Sequence, residues 1–232
     1  MEFRRLTLRD CAQATGAVIV IDVLRAFTTA AHAFAAGARE IVLVSSVEEA
    51  LVLREADPDA LIMGEVGGLK PEGFDLGNSP TALIGRDLTG RRLIQRTSAG
   101  TQGVVGGSAR AGALLGCSLC CAAATARHIQ RLAPAAVSFV ITGVAAGSPE
   151  NDGDEDIACA DYVEALLRGE TPDTAAIARR VHDSYVARKF LVLTQPDFPA
   201  EDLVHSTAVD RFAFSLPIHR RAGRLVMRCE WT

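Results

Sequence analysis

The sequence predicts an α/β fold of the layered α/β/α type with a mostly parallel central sheet. Short runs rich in β-branched residues alternate with alanine-rich segments of helical length, a pattern typical of sheets whose crossovers are helices. Glycine-rich loops that contain acids follow several of these runs, and in such sheets ligands bind beside the strand ends. The chain has 232 residues, 49% of them hydrophobic. We therefore expect a single domain over 1–232, or two interdependent lobes.

The first strand and helix have the clearest signals. Residues 17–23, AVIVIDV, form the continuous apolar run of a buried strand. A helix is expected from 26 to about 36, because Gly37 suits a left-handed C-terminal cap. Residues 40–44, EIVLV, predict the next strand.

A second helix is expected to begin after Ser46, since Ser46 and Glu49 have the spacing of a capping box, and to run to about Ala56. A strand follows at 60–64. Further strands are predicted from similar apolar runs at 91–97, 111–117 and 137–143, and helices at about 122–133, 157–169 and 173–189. The less regular C-terminal third predicts a loop and short helix over 197–210 and strands at 212–217 and 224–228.

Composition and charge exclude several classes of protein. No apolar run approaches the length of a membrane span, and charges stand near the N-terminus where a secretory signal needs apolar residues. We therefore expect a cytoplasmic protein that does not associate with membranes, with its six cysteines as thiols. A net charge of -4 without a basic stripe disfavours nucleic acid as a partner. The sequence is compatible with a homo-oligomer as well as with a monomer.

The first segment that suggests chemistry is IDVLRAFTTA, residues 21–30. Asp22 ends the buried strand, and Arg25 stands at the start of the following helix. Helix N-terminal amides attract phosphate, and a guanidinium binds its oxygens in a bidentate manner. The alternative is an Asp helix cap with an Arg ion pair.

The second segment is the glycine-rich loop 64–80. Loops of this length inside compact domains are usually functional. Glu65 and Asp75 are candidate ligands of a metal or of water. Asn78 and Ser79 precede a proline at a predicted helix start, which would attract an anion. The alternative is a surface lid.

The third segment is RTSAGTQG, residues 96–103. Its glycines allow backbone amides to form a concave anion nest, and Ser98 and Thr101 supply further donors. It lacks the lysine and spacing of a Walker loop. A plain turn is the alternative.

The fourth segment, residues 151–166, places several acids at a predicted helix start. These acids are Asp152, Asp154, Glu155 and Asp156. Magnesium usually takes one or two carboxylates, keeps several waters and binds substrate phosphate, so this cluster could hold it. The alternative is a set of acids that only complements the helix dipole.

Cys121 and Arg127 have the spacing of cysteine-dependent phosphatases, in which a thiolate attacks phosphorus. The five residues between them are only Ala and Thr. Because a phosphate-binding loop favours glycine, we discount this match.

Taken in order, DVLRAFTT, GE followed by GFDLGNSP, TSAGT and DEDIACAD resemble the 2-phosphosulfolactate phosphatase family over about residues 15–170. The resemblance implies an α/β fold and magnesium-dependent removal of phosphate from 2-phosphosulfolactate, a small anionic phosphoester, in coenzyme M biosynthesis. Ala99 and Cys121 replace asparagines common in the family, so a related phosphorylated hydroxy acid is also a candidate substrate.

The resemblance also implies site positions. The patterned positions are Asp22, Arg25, Glu65, Asp75, Asn78, Ser79, Thr97, Gly100, Thr101, Glu155, Asp156 and Cys159. We expect catalytic roles for Asp22, Arg25, Glu155 and Asp156, substrate contacts from Asn78, Ser79, Thr97, Ser98, Gly100 and Thr101, and magnesium ligands among Glu65, Asp75, Glu155 and Asp156. Either water or Asp22 could attack the phosphorus. The alternative function is a catalytically silent anion-binding or regulatory protein on the same scaffold.

Overall fold

The computed structural model describes residues 1–144, 153–192 and 196–232, which form ten strands and seven α-helices. The strands are β1 (Glu2–Thr7), β2 (Gly16–Ile21), β3 (Glu40–Leu43), β4 (Leu61–Gly64), β5 (Arg92–Arg96), β6 (Ala111–Cys117), β7 (Ala136–Ile141), β8 (Phe214–Arg221), β9 (Arg224–Met227) and β10 (Glu230–Trp231). The helices are α1 (Ala26–Ala35), α2 (Val47–Ala56), α3 (Gly100–Gly107), α4 (Ala122–Leu132), α5 (Asp154–Leu167), α6 (Thr174–His182) and α7 (Ala200–Ser206).

The strands form one sheet in the order β1-β7-β2-β6-β8-β9-β3-β5-β4, with β10 beside β8. It contains two parallel blocks, β1-β7-β2-β6 and β3-β5-β4. The antiparallel hairpin of β8 and β9 joins them, because β8 pairs with β6 near Pro217 and with β9 from Ile218 onward, while β9 pairs with β3. The mostly parallel α/β sheet predicted from the sequence is confirmed.

Both faces of the first block are covered by helices. On β2, Ile19 and Ile21 belong to a buried cluster that includes residues of α4 and α5. Val18 and Val20, which point to the other face, belong to a cluster that includes residues of α1 and α3. Burial on both faces explains why this strand reads as a continuous apolar run.

Most predicted elements are present, and the Ser46 cap is confirmed, since its Oγ accepts a hydrogen bond from the Glu49 amide at 3.1 Å. Strand β1 was not predicted. The predicted helix 173–189 is α6 followed by a 3-10 turn at Val186–Phe190. The helix start expected after Ser79 is only a 3-10 turn, Thr81–Leu83.

Helix α3 begins at Gly100, within segment 96–103, where the sequence indicated a glycine-rich nest or a plain turn and not a helix. Its glycines let it lie close to β2. A Cβ atom at Gly103 would lie 2.8 Å from Val20 Cγ1 and 3.0 Å from Thr142 Cγ2, and one at Gly106 would lie 2.5 Å from Cys11 Sγ. Close packing therefore outweighs the low helix propensity of glycine.

The segment between α6 and β8 forms a small core of its own. Phe190 and Leu203 form a small buried cluster with Ala187, and Phe198 packs against it. All six cysteines are free thiols, as expected. None of the described helices combines the length and the apolar character needed to cross a bilayer.

Candidate active site

Loops that follow β2, β4 and β5 meet at a cavity of about 300 Å³. Its polar lining includes Asp22, Arg25, Glu65, Asn78 and Ser98. These residues come from the first three segments that the sequence suggested. The cavity therefore lies where the two parallel blocks meet, and it is the candidate active site.

Asp22 follows β2 and is only 6% exposed. Its Oδ1 accepts a hydrogen bond from the Ala26 amide at 2.9 Å, so it also caps α1. Burial raises the pKa of Asp22 to about 6, and repulsion from Glu65 adds to the shift, whereas the Ala26 and Gly100 amides oppose it. A carboxylate in this range is ionised at neutral pH yet able to take up a proton.

Glu65 follows β4 and is held rigidly. Its Oε2 accepts hydrogen bonds from the Gly68 amide at 2.7 Å and from Ser98 Oγ at 2.9 Å, and its Oε1 accepts from the Ser98 amide at 2.5 Å. Ser98 thus orients this carboxylate from the neighbouring strand end. A fixed carboxylate beside Asp22 suits cation binding.

The start of α3 approaches Asp22 closely. A Cβ atom at Gly100 would lie 2.7 Å from Ala26 Cβ and 2.8 Å from Asp22 Oδ2, so only glycine fits here. Thr97 and Thr101 are fully buried and bond to each other, with each amide donating to the other hydroxyl at 2.8 and 3.0 Å. Their hydroxyls therefore fix the turn that presents Gly100.

Arg25 is paired with Asp202 and not with Asp22. Its Nη1 donates to Asp202 Oδ2 at 2.6 Å and to the Asp197 carbonyl oxygen at 2.8 Å. Its guanidinium carbon lies 5.0 Å from the ring centroid of Phe190 and 4.8 Å from that of Phe198. The guanidinium is therefore held in one orientation at the cavity wall.

Asp202 is a site residue that the sequence reasoning missed. It is fully buried, and its Oδ1 accepts hydrogen bonds from Ser79 Oγ at 2.7 Å and from the Thr81 amide at 3.0 Å. It thus joins the Asn78-Ser79 loop to Arg25. An acid in the first turn of a helix looks like a simple complement to the dipole, so the sequence offered no signal. Lys189, Phe190 and Phe198, which also line the cavity, were missed too.

The acidic start of α5 lies next to the strand ends. Asp156 Oδ1 accepts from the Val23 amide at 2.8 Å, and its Oδ2 accepts from the Gly143 amide at 2.9 Å and the Thr142 amide at 3.2 Å. Asp156 therefore ties β2 to β7. Burial, and then repulsion from Glu155 and Asp22, raises its pKa well above the usual range.

The other acids predicted in this segment do not share the backbone contacts of Asp156. Glu155 is 2% exposed, and a Cβ atom at Gly143 would lie 2.8 Å from its Oε1. Asp154 is paired with Arg180 at 2.5 Å. Asp152 lies outside the described residues.

Asp75 is not brought to the cavity. It forms an ion pair with Arg54, and its Oδ2 accepts a hydrogen bond from the Ile62 amide at 2.8 Å. The chain folds back after β4, so Asp75 braces the loop against β4 and α2. Its ligand role has no support from this geometry.

The residues of the cavity fit a magnesium ion in their chemistry. Within residues 1–144, 153–192 and 196–232, no three His, Cys, Asp or Glu side chains are arranged to surround a metal. Magnesium needs only one or two protein carboxylates. Asp22 and Glu65 supply two beside one cavity, and their mutual repulsion, which adds to the effect of burial in raising the pKa of Asp22, is what a cation would offset.

Comparison with known proteins gives a consistent set of matches. A family model described as 2-phosphosulpholactate phosphatase matches residues 5–213. A relative from Bacillus subtilis strain 168 is 40% identical over 190 residues, 82% of this chain and 81% of the relative. A relative from Deinococcus radiodurans is 40% identical over 164 residues (69% and 67%), and one from Thermus thermophilus is 36% identical over 168 residues (72% and 70%). Each carries the name "Probable 2-phosphosulfolactate phosphatase".

Proposed function

The chain belongs to the 2-phosphosulpholactate phosphatase family, a family of phosphoric monoester hydrolases, and from that membership we propose its reaction and cofactor. The protein hydrolyses the phosphate ester of a small acidic hydroxy acid, 2-phosphosulfolactate or a close relative, with Mg²⁺. The observation that carries the proposal is one cavity that combines Asp22 and Glu65 with the fixed guanidinium of Arg25.

The phosphate binds between Arg25 and the start of α3. Arg25 supplies a fixed positive charge, and the exposed Lys189 lines the same cavity. The first amides of α3 stand next to Asp22, where the positive end of the helix dipole favours an anion. These groups stabilise the charge that develops on the phosphoryl oxygens.

Asp22 is the reactive carboxylate. In one route it takes a proton from water while the water oxygen bonds to phosphorus, the ester P–O bond breaks, and the leaving oxygen is protonated. In the other route Asp22 itself bonds to phosphorus, and water later hydrolyses the acyl phosphate. A single turnover in labelled water separates them, because label found in the Asp22 carboxylate would establish the second route.

Asp22 and Glu65 would hold the magnesium ion, which when bound neutralises negative charge and polarises the phosphate. Asp156 is a poorer candidate ligand, because it is not among the described residues that line the cavity. We therefore assign Asp22 and Glu65 as the magnesium ligands in this proposal.

The test is a phosphatase assay on 2-phosphosulfolactate, 2-phospholactate and p-nitrophenyl phosphate, with magnesium and with chelator. We expect turnover that needs magnesium and that falls by on the order of a hundredfold or more in Asp22→Asn. Ala99 lines the cavity in place of the asparagine common in the family. If wild type binds sulfolactate without turning over any ester, the silent anion-binding protein replaces our proposal.

A further inference from the structure

A second chamber opens beside the candidate active site. It has a volume of about 330 Å³, and it shares Arg25, Gly68 and Asn78 with the first cavity. Lys70 and Thr81 line this chamber but not the first one. We call this second chamber the annex. The three shared residues place the annex directly beside the first cavity.

The annex wall carries unused hydrogen-bonding capacity. Asn78 is 7% exposed, and its Oδ1 is buried with no hydrogen-bond partner among the residues that the structure describes. The buried Thr81 Oγ1 lacks a partner in the same part of the chain. Buried polar groups are nearly always bonded, so a polar ligand in the annex would supply the partner that these two side chains lack. Both side chains can donate, since the Asn78 amide can turn over to present its NH₂ group.

The charge at the annex favours an anion. Lys70 Nζ donates to the Phe74 carbonyl oxygen at 2.9 Å, which holds the ammonium in place while two of its three donors stay available. Arg25 adds a second positive charge. Among the described residues that line the annex, Asp197 is the only acid, and it is exposed. The ion pair with Asp202 offsets the charge of Arg25, so Lys70 is the cation that favours an anion here.

We propose, on the basis of the function proposed above, that the annex binds a second acidic group of the substrate through Lys70, Asn78 and Thr81. The phosphate then lies beside Asp22, and a carboxylate or sulfonate a few bonds away lies beyond Arg25. The enzyme selects phosphoesters whose leaving alcohol carries an acid, because a neutral alcohol leaves the buried donors unpaired.

The test compares substrates that differ in this second group. 2-Phosphosulfolactate carries a carboxylate and a sulfonate, 2-phospholactate carries only the carboxylate, and p-nitrophenyl phosphate carries neither. We expect Lys70→Met to raise KM for 2-phosphosulfolactate by about tenfold, as for loss of a charged hydrogen bond. Turnover of p-nitrophenyl phosphate should stay unchanged. If KM for 2-phospholactate also increases, the annex binds the carboxylate. If KM for 2-phospholactate does not change, the annex binds the sulfonate.

Thr81→Val is the second variant, since it deletes an unbonded hydroxyl and keeps the Thr81 amide bond to Asp202. It should raise KM for the acidic substrates by a few fold. Thr29→Val is its matched control, because Thr29 Oγ1 is also buried without a partner in the described residues but lines neither chamber. Its KM should equal that of wild type.

Two outcomes would overturn the annex assignment: an unchanged KM in both Lys70→Met and Thr81→Val, or an equal loss on p-nitrophenyl phosphate. Failure of the proposed function is a separate result. If wild type hydrolyses none of the esters, calorimetric binding of sulfolactate to wild type and to Lys70→Met still tests the annex, with weaker binding to the variant as the expected result.

Discussion

Asp22 combines a chemical role with a cost in stability. An unfolded aspartate titrates near 3.8, whereas burial and repulsion from Glu65 raise the folded pKa to about 6. Below the unfolded pKa both states are protonated and there is no cost. The free-energy cost grows as pH rises through this interval, and above the folded pKa it reaches about 3 kcal/mol.

We therefore expect Asp22→Asn to be more stable than wild type at about pH 8, by on the order of 1 kcal/mol, and less stable than wild type near pH 4. The gain is smaller than the full cost, since the Asn NH₂ group cannot accept the hydrogen bond from the Gly100 amide. Urea denaturation across this pH range measures it. A difference that does not change with pH would contradict the assignment of the raised pKa to Asp22.

Arg25 tests whether a fixed guanidinium matters more than a positive charge. Arg25→Lys keeps the charge but cannot contact Asp202, the Asp197 carbonyl and phosphate together. We expect kcat/KM to fall by about tenfold or more while the protein stays folded. Steady-state kinetics and far-UV circular dichroism measure both quantities.

The control for Arg25→Lys is Arg188→Lys, because Arg188 is exposed and lies over the Tyr185 ring outside the cavity. That variant should behave as wild type. Equal kinetics in the two variants would remove Arg25 from the phosphate site.

Helix α3 depends on glycine at one position much more than at another. Gly103→Ala gains helix propensity but places its methyl group 2.8 Å from Val20 Cγ1, so we expect a net loss of about 1–3 kcal/mol. At Gly107 the nearest atom, Val18 Cγ1, would be 3.5 Å away, an ordinary contact. Gly107→Ala should therefore be neutral or stabilising. Chemical denaturation of both variants is the measurement, and equal effects would show that α3 is not held close to β2.

At the start of α5, substitution of Asp156 can distinguish a structural role from a metal-binding role. Asp156→Asn keeps one acceptor for the Val23 amide but turns an NH₂ group toward the Thr142 and Gly143 amides. Because the Thr142 amide also donates to the Ile21 carbonyl oxygen at 3.3 Å, the Gly143 amide is the donor left unpaired, and its loss should lower stability by about 1–3 kcal/mol. Because the loss arises from backbone contacts, thermal melts should show it equally with magnesium and with chelator. A loss seen only with magnesium would make Asp156 a ligand.

Short sequence patterns predicted the candidate site residues whose positions depend on their neighbours in the chain. Asp22 and Arg25 flank a strand end and a helix start, and both features are visible in a short stretch of sequence. The Arg25 partner Asp202 lies 177 positions later, so no spacing could reveal the pair. Asp75 was a candidate ligand because of its position in the loop. The loop folds back and pairs Asp75 with Arg54, a contact that the sequence does not indicate.

The α3 segment was misread because its glycines look like a loop when packing partners are unknown. The parallel sheet was predictable from the alternation of strands and helices. The position of the β8-β9 hairpin was not predictable, because the sequence of two short strands does not indicate which other strands they pair with.

Magnesium should stabilise the folded protein as a whole, since a ligand that binds only the folded state raises the melting temperature by mass action. We expect this shift in wild type and its loss in Asp22→Asn and Glu65→Gln. Asp75→Asn should melt lower, because it weakens the Arg54 pair, yet keep the magnesium shift. Calorimetric melts with magnesium and with chelator measure this, and loss of the shift in Asp75→Asn would restore that residue as a ligand.

The central position of the β8-β9 hairpin also governs when the enzyme becomes complete during synthesis. The described residues that line the cavity all precede the hairpin in the chain, but in the sheet that the described residues form, the two parallel blocks are hydrogen-bonded to each other only through residues 214–227. While a ribosome is still translating this stretch, the edges of β6 and β3 have no partner from the hairpin. We therefore expect the two blocks to become one sheet only after the hairpin has left the exit tunnel, so the scaffold around the catalytic centre is completed late in folding.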